Sequence, residues 1–357
     1  RHSLLNTIVH PTAKNIFFAI TKIFPPLCSC RLLLLFLRVT VRTEEIIRDR
    51  GILKRESFLN LRWSSYLISK FAVLFLISAI QLKTQKKEYF EALTKKKITS
   101  LAFEFIKDSD GSYPAVKSLS EIAGTASVLI AAELMINNND GKGLLLGNIT
   151  GVPPTEIVIL GAGTVAEYAV RTALSLGANV KVFDNSITKL RRLQNTLNQR
   201  IFTSTIHDKA LLKALRRCDV AIGALKGENR TPVVVTETMV EYMKKGAVIV
   251  DVSIDTGGCF ETSEITTHEN PTFVKNNVIH YCVPNIPSRY SKTASISISN
   301  ILTPILINIA EDGGIEAAIR CNSGLKNGIY FYHGILTNKS IADWFNLEHR
   351  DINLIVF

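Results

Sequence analysis

The chain has 357 residues, 46% of them apolar and 20% charged, enough for two or three domains that each bury a core. Its formal charge of +11 is concentrated at one end: residues 1–76 hold 12 Lys/Arg and 4 Asp/Glu, a balance of +8, which leaves +3 for the other 281 residues. With no basic stripe interleaved with aromatics, this distribution argues against a nucleic-acid binder.

Residues 1–76 show neither a sustained 3.6-residue nor an alternating pattern. The apolar run at 32–37 is bracketed by Arg31 and Arg38, and the one before it is broken by Lys22 and Pro25-Pro26. Neither reaches the roughly 18 residues of a membrane span, and 38–42 makes a poor signal-peptidase site. The ten apolar residues 71–80 read as a buried strand. We leave 1–76 unassigned, with the pattern expected of non-native or disordered sequence such as a frame error or truncated gene. The six cysteines (28, 30, 218, 259, 282, 321) match neither a disulfide framework nor a zinc site, so we expect buried, reduced thiols, no metal and a cytoplasmic location.

From about residue 78 the pattern is orderly. The spacing predicts a strand at 98–103 and a long helix over 120–137. A β-branched run at 157–160 leads straight into Gly161-Ala-Gly163-Thr164-Val165-Ala166, then a helix ending at Gly177 and an apolar run closing on Asp184. Further strands are expected at 201–204, 219–225, 247–252 and, as the last, 278–283, with helices over 208–217 and from a Thr236 cap to about Gly246. Strands alternating with helices imply a Rossmann-type doubly wound parallel sheet.

The run from strand to glycine turn, helix, strand and acid is the dinucleotide-binding pattern. Gly161 permits the tight turn, and Gly163 lets the backbone approach a pyrophosphate at the helix N-terminus. Asp184, 21 residues beyond Gly163, is placed to accept from an adenosine ribose hydroxyl. A 2′-phosphate would meet that carboxylate as like charge, which favours NAD over NADP. Ligands on such sheets bind at the carboxyl ends of the strands. That singles out 161–165, Asp184, Ser204, Leu225-Lys226, 253–255 and 284–286. Asp255, before a glycine pair in a mobile-looking loop, can face a bound nicotinamide, although Asp-x-Gly-Gly is also a common turn. His268 and His280 read as structural, His207-Asp208 as a helix cap, and Arg289 and Lys292 as a solvated face.

Five blocks carry a family resemblance: SLSEIAG (118–124), GKGLLLGNITGVPPTEIVILGAGTVAEYAVRTALSLGANVKVFD (141–184), GAVIVDVSIDTGGCFETS (246–263), TTHENPTF (266–273) and HYCVPNIP (280–287). Together they resemble the alanine dehydrogenases, which share a superfamily with the NAD-binding subunit of proton-translocating transhydrogenase. The resemblance covers about 77–345. It implies reversible oxidative deamination of L-alanine to pyruvate and ammonia with NAD, and a homo-oligomer, typically a hexamer. Its partners would be a small amino-acid or keto-acid substrate, with no nucleic acid and no membrane. It also implies a nucleotide domain (119–286) inserted into an α/β substrate domain (77–118 and 287–357) that is incomplete at its N-terminal half. Cofactor contacts would fall on Ser120, Gly161, Gly163, Thr164, Val165, Asp184, Lys189, Ser204, Leu225, Lys226, Val252, Ser253, Ile254, Asp255, Val283, Pro284, Asn285 and Ile286. Asp255 matches the catalytic aspartate.

The departures fall on the substrate side. Gln81 stands where the family has its catalytic histidine, and an amide hydrogen-bonds a carbonyl but shuttles no proton. No copy of the family's substrate arginine and lysine is recognisable in 1–76, and Glu264 stands where an arginine is frequent. These departures predict dinucleotide binding with weak or absent alanine turnover. The alternatives are a non-catalytic NAD-binding or scaffold protein, or a dehydrogenase of another amino or imino acid. A transhydrogenase-type module is disfavoured by the Asp255 loop sequence.

Overall fold

A computed structural model describes residues 87–137, 141–197, 199–227 and 230–356. Gln81, Cys28, Cys30 and all of 1–76 lie outside them. The chain order begins with α1 (Lys87–Lys95), β1 (Ser100–Leu101) and α2 (Pro114–Leu134). It continues through β2 (Glu156–Leu160), α3 (Thr164–Ser175), β3 (Asn179–Phe183), α4 (Ile187–Thr196) and β4 (Phe202–Ser204). Next come α5 (Asp208–Leu215), β5 (Val220–Gly223), α6 (Glu237–Glu241), β6 (Val248–Asp251), β7 (Thr272–Lys275) and β8 (Val278–Tyr281). The remainder is α7 (Ser291–Glu311), α8 (Ile315–Cys321), α9 (Ser323–Gly328), β9 (Ile329–Tyr332), β10 (Ile335–Leu336) and α10 (Lys339–Phe345).

Seven strands form one sheet in the order β4-β3-β2-β5-β6-β8-β7. All pairs are parallel except β7–β8. The order reverses between β2 and β5, the switch point where dinucleotides bind on doubly wound sheets. Strands buried on both faces read as continuous apolar runs, and here alternate residues serve two cores. Ile157, Ile159, Val220, Ile222, Val248 and Val250 pack with α2 and α3 on one face. Val158, Leu160, Ala221, Ala247 and Ile249 pack with α5 and α6 on the other.

Both flanks of the described chain meet in two further cores. Leu101 and Ile106 join Leu302, Ile309, Ile319 and Leu325, and Phe90 joins Tyr330, Phe331 and Ile341. The antiparallel sheet β1-β9-β10 lies between them. Two helical stretches, Pro114–Leu134 and Ile286–Glu311, are long and apolar enough to cross a membrane by length and composition. The first is a core helix, burying Ala126, Val128, Ile130 and Ala131 against the sheet.

Several boundaries differ from the sequence expectations. The long helix begins at Pro114, where proline's missing N–H costs nothing, rather than at 120, and ends at Leu134. The strand expected over 98–103 is ordered as strand only at Ser100–Leu101. The strand at 278 is not the last, since β9 and β10 follow, and the antiparallel edge strand β7 was not foreseen. Its central register pairs Phe273 with His280, and the two rings stack 4.8 Å apart. Cys218, Cys259 and Cys282 are buried thiols as expected, but Cys321 is exposed. His207 sits at the α5 N-cap without a side-chain capping bond.

Candidate functional site

The turn after β2 is built for close approach. Gly161 has φ +115°, and a Cβ there would lie 2.4 Å from the Ala224 carbonyl oxygen after β5. The turn therefore seats directly against Leu225, whose amide nitrogen would be 3.1 Å from that Cβ. Gly163 is the N-cap of α3 and makes no side-chain cap bond, and a Cβ on it would project into open space. The amides at Thr164 and Val165 thus open the helix beside that open space, the donor set a pyrophosphate requires. The residues present fit a bound dinucleotide.

Asp184 ends β3 and is 6% exposed. Its Oδ2 accepts from the Ala162 amide and its Oδ1 from the Ser186 amide, each at 2.7 Å. The acid thus holds the glycine turn in place. The Asp184 amide in turn donates to the Ser204 carbonyl at 3.2 Å, which ties β4 into the same edge. The Ser204 hydroxyl bonds locally to Thr205 O. Lys189 is exposed in the first turn of α4, its amide capped by Ser186 Oγ. Ser120 is half-buried on α2, one turn before Gly124. A Cβ on Gly124 would lie 2.2 Å from Val165 O and 2.9 Å from Tyr168 Cβ, so α2 presses on the first turn of α3 and brings Ser120 near the glycine turn.

The other half of the site follows β6 and β8. A 3-10 turn (Val252–Thr256) carries Asp255, whose Oδ1 accepts from the Asn285 amide at 2.9 Å. That bond joins the 252–255 turn to the 283–286 segment, where Asn285 adopts φ +54°. Desolvation raises the Asp255 carboxyl above the usual carboxylate range, the neighbouring Asp251 charge adds to this, and the Asn285 amide opposes it. Lys226 is exposed beyond β5.

Asp251, at the end of β6, was missed by sequence reasoning. It is 0% exposed. Its Oδ1 accepts from Ser253 N at 3.0 Å, and its Oδ2 from Cys259 N at 3.0 Å and Ser263 Oγ at 2.7 Å. Burial pushes its carboxyl up against these donors, which pull it down. The Asp255 loop is therefore pinned at its root by a buried carboxylate, a correction to its mobile look in the sequence. Thr231 adds a second tie from the β5 loop, its amide donating to Thr256 O at 2.9 Å. The only signal in the sequence was an acid closing an apolar strand.

The imidazoles hold structure. His280 Nδ1 donates to Val278 O (3.0 Å), so Nε2 accepts from Thr262 Oγ1 (2.8 Å). His268 pairs with Ser288 Oγ at 2.8 Å on the surface. Arg289 forms an ion pair with Glu133 at 2.8 Å. Along the carboxyl edge the site residues thus run Ser204, Asp184, Gly161–Gly163, Leu225, Asp255 and Asn285, following β4, β3, β2, β5, β6 and β8. With strands about 4.8 Å apart, the glycine turn and the Asp255 turn stand roughly 10 Å apart across β5.

Residues 127–339 match the family model described as alanine dehydrogenase/PNT, C-terminal domain. The chain is 37% identical over 281 residues to an alanine dehydrogenase of Staphylococcus epidermidis, covering 78% of this chain and 75% of that one. It is also 37% identical to an alanine dehydrogenase of Mycolicibacterium smegmatis, covering 73% and 70%. A solved L-alanine dehydrogenase superposes with TM-score 0.69 at 32% identity, over 73% of this chain and 72% of that one. A transhydrogenase structure from Sinorhizobium meliloti shares the fold, with TM-score 0.57 at 22% identity. With its glycine turn, buried acid and aspartate loop on one sheet edge, the chain belongs to the alanine dehydrogenase/PNT family and is an oxidoreductase of the alanine dehydrogenase type.

Proposed function

We propose that this chain catalyses the reversible oxidative deamination of L-alanine to pyruvate and ammonia, with NAD as the cofactor. The observation that carries the reading is the Asp255 carboxyl, raised by desolvation and held in place by the Asn285 amide, on the same sheet edge as the Gly161–Gly163 turn. Bound NAD supplies the hydride acceptor. The chain's own residues bind and orient it through the α3 N-terminal amides, the Asp184 carboxylate and the 283–286 segment. Asp255 then takes a proton from the substrate amine or from the water that attacks the iminium carbon, and returns one in the reverse direction. A carboxyl raised above the usual carboxylate range suits both transfers, and such a positioned group typically contributes about 10²–10⁴-fold.

The same reading takes 119–286 as the nucleotide domain and the flanks 77–118 and 287–357 as the substrate domain. The separate cores that join both flanks support this division, with α2 and α7 packing between the two parts. It also takes the protein as a cytoplasmic homo-oligomer acting on a small amino or keto acid.

The test is NADH fluorescence titration of the purified chain, followed by addition of pyruvate and ammonia. Binding with turnover supports the proposal. Binding without turnover of any amine or keto acid would favour a non-catalytic dinucleotide-binding role, the reading that Gln81 in the place of the family histidine keeps open.

A further inference from the structure

Asp251 has no part in the chemistry described above, yet it is the most deeply buried acid among the described residues. Its donors arrive from three points of one loop. Oδ1 accepts from the Ser253 amide, and Oδ2 accepts from the Cys259 amide and the Ser263 hydroxyl. Two glycines leave room for the carboxylate, since a Cβ on Gly223 would lie 2.5 Å from Oδ1 and one on Gly258 2.9 Å from Oδ2. Three donors suit an ionised carboxylate, which only accepts. Among the described residues no lysine or arginine forms an ion pair with it. Hydrogen bonds alone therefore hold the charge.

An anion at the foot of the turn that carries Asp255 acts on that carboxyl in two ways. Through Ser253 and Cys259 it closes the loop on both sides of Asp255 and so fixes where the side chain stands. Through its charge it makes proton loss from Asp255 harder. The other groups around Asp255 leave this effect in place. The 283–286 segment offers the Asn285 amide, and Arg289 beyond it is paired with Glu133. From the β5 loop, Arg230 lies against Gly257 and Lys226 stands beyond the strand, but both are exposed and screened by solvent. Burial pushes the Cys259 and Cys282 thiols beside Asp251 up, so both are neutral.

Resting on the reading of Asp255 as the proton carrier, we propose that Asp251 is a positioning residue, a buried anion that fixes the Asp255 turn and acts on the Asp255 proton through its charge. Asp251, with three donors, stays ionised, while Asp255, with one amide donor, takes and releases the proton. Neighbouring carboxyls in unlike environments divide the roles of fixed charge and proton carrier in this way.

The experiment follows the aspartate carboxyl carbons of the isotopically labelled full chain by NMR from about pH 4 to about pH 9, spanning the range in which a raised carboxyl titrates. It compares wild type with Asp251→Asn and Ser263→Ala, and Asp255→Asn identifies the Asp255 signal. Thermal unfolding of each variant checks the fold. In wild type, Asp251 should remain ionised throughout the range in which Asp255 titrates. Asp251→Asn removes the charge and should move the Asp255 midpoint down by about one pH unit, a tenfold change in proton affinity. The acid limb of alanine deamination should move down with it. Ser263→Ala loosens the same loop but keeps the charge, and should leave that midpoint within about 0.3 pH unit of wild type.

An Asp255 midpoint unmoved by Asp251→Asn overturns the proposal. Equal shifts in both variants also overturn it, and would leave Asp251 as a structural brace alone. So does an Asp251 that is protonated in wild type over the same range, a result that decides the matter even where Asp251→Asn fails to fold. If wild type turns over no alanine, the functional reading falls by itself, and the titration still decides how the two carboxyls are related.

Discussion

Replacing Gly124 by alanine sets two physical effects against each other with opposite signs. Gly124 lies inside α2, where alanine is favoured over glycine by about 1 kcal/mol on helix propensity alone. A Cβ there would stand 2.2 Å from Val165 O, against about 3.4 Å for an ordinary contact, so α2 and α3 must part by about 1.2 Å. The obstructing atom is backbone and cannot rotate away, and overpacking of this kind costs about 1–3 kcal/mol. Because the obstructing backbone cannot yield, sterics win, and Gly124→Ala is expected to destabilise the chain by up to about 2 kcal/mol net of the propensity gain. The displaced element is the first turn of α3, so NADH affinity should fall by about tenfold as well. Urea unfolding followed by circular dichroism gives the first number, and NADH fluorescence titration the second. A variant as stable as wild type or more so, with unchanged NADH affinity, would refute the reasoning that α2 sets the position of the glycine turn.

Gly163→Val tests the cradle directly. Its φ of −84° suits any residue and its Cβ meets nothing within 4 Å, so thermal stability should hold while NADH affinity drops at least about tenfold. Asp255→Asn should cut turnover by about 10²–10⁴-fold while NADH still binds, and retained turnover would remove Asp255 from the chemistry. Asp251→Asn leaves at least one buried donor unmatched and should cost about 1–3 kcal/mol, readable as a shifted urea midpoint.

His280 gives a pH dependence. Burial pushes its folded pKa from 6.5 down to about 4, so the unfolded chain binds the proton more readily between those values. Its contribution is complete above pH 6.5 and lost as pH falls toward 4, about 3 kcal/mol in all. Urea unfolding at pH 7.5 and 4.5 should show a smaller acid loss in His280→Gln than in wild type. Parallel losses would place the acid sensitivity elsewhere.

The glycine turn and Asp184 were legible because their geometry is local. A strand, two glycines, a helix start and an acid 21 residues on lie within one βαβ unit, and covalent spacing alone brings them together. The parallel sheet was legible for a related reason, since strands buried on both faces must be apolar throughout. Asp251 was not. An acid closing an apolar strand is commonplace. What distinguishes it is donors that arrive from Cys259 and Ser263. The edge strand β7 escaped notice because its pairing depends on its neighbour in the sheet rather than on its own alternation.

The sequence by itself therefore determined the outline of the dinucleotide half of this protein: a parallel sheet of alternating strands and helices, the turn at Gly161–Gly163 and the aspartate loop that the family pattern marks. Only the tertiary structure decided how those parts are held. It presses Gly124 on Val165, buries Asp251 beneath the Asp255 loop and joins that loop to Asn285. The physical reason is that burial and hydrogen bonding between residues far apart in the chain depend on which elements pack together. No local pattern encodes that packing.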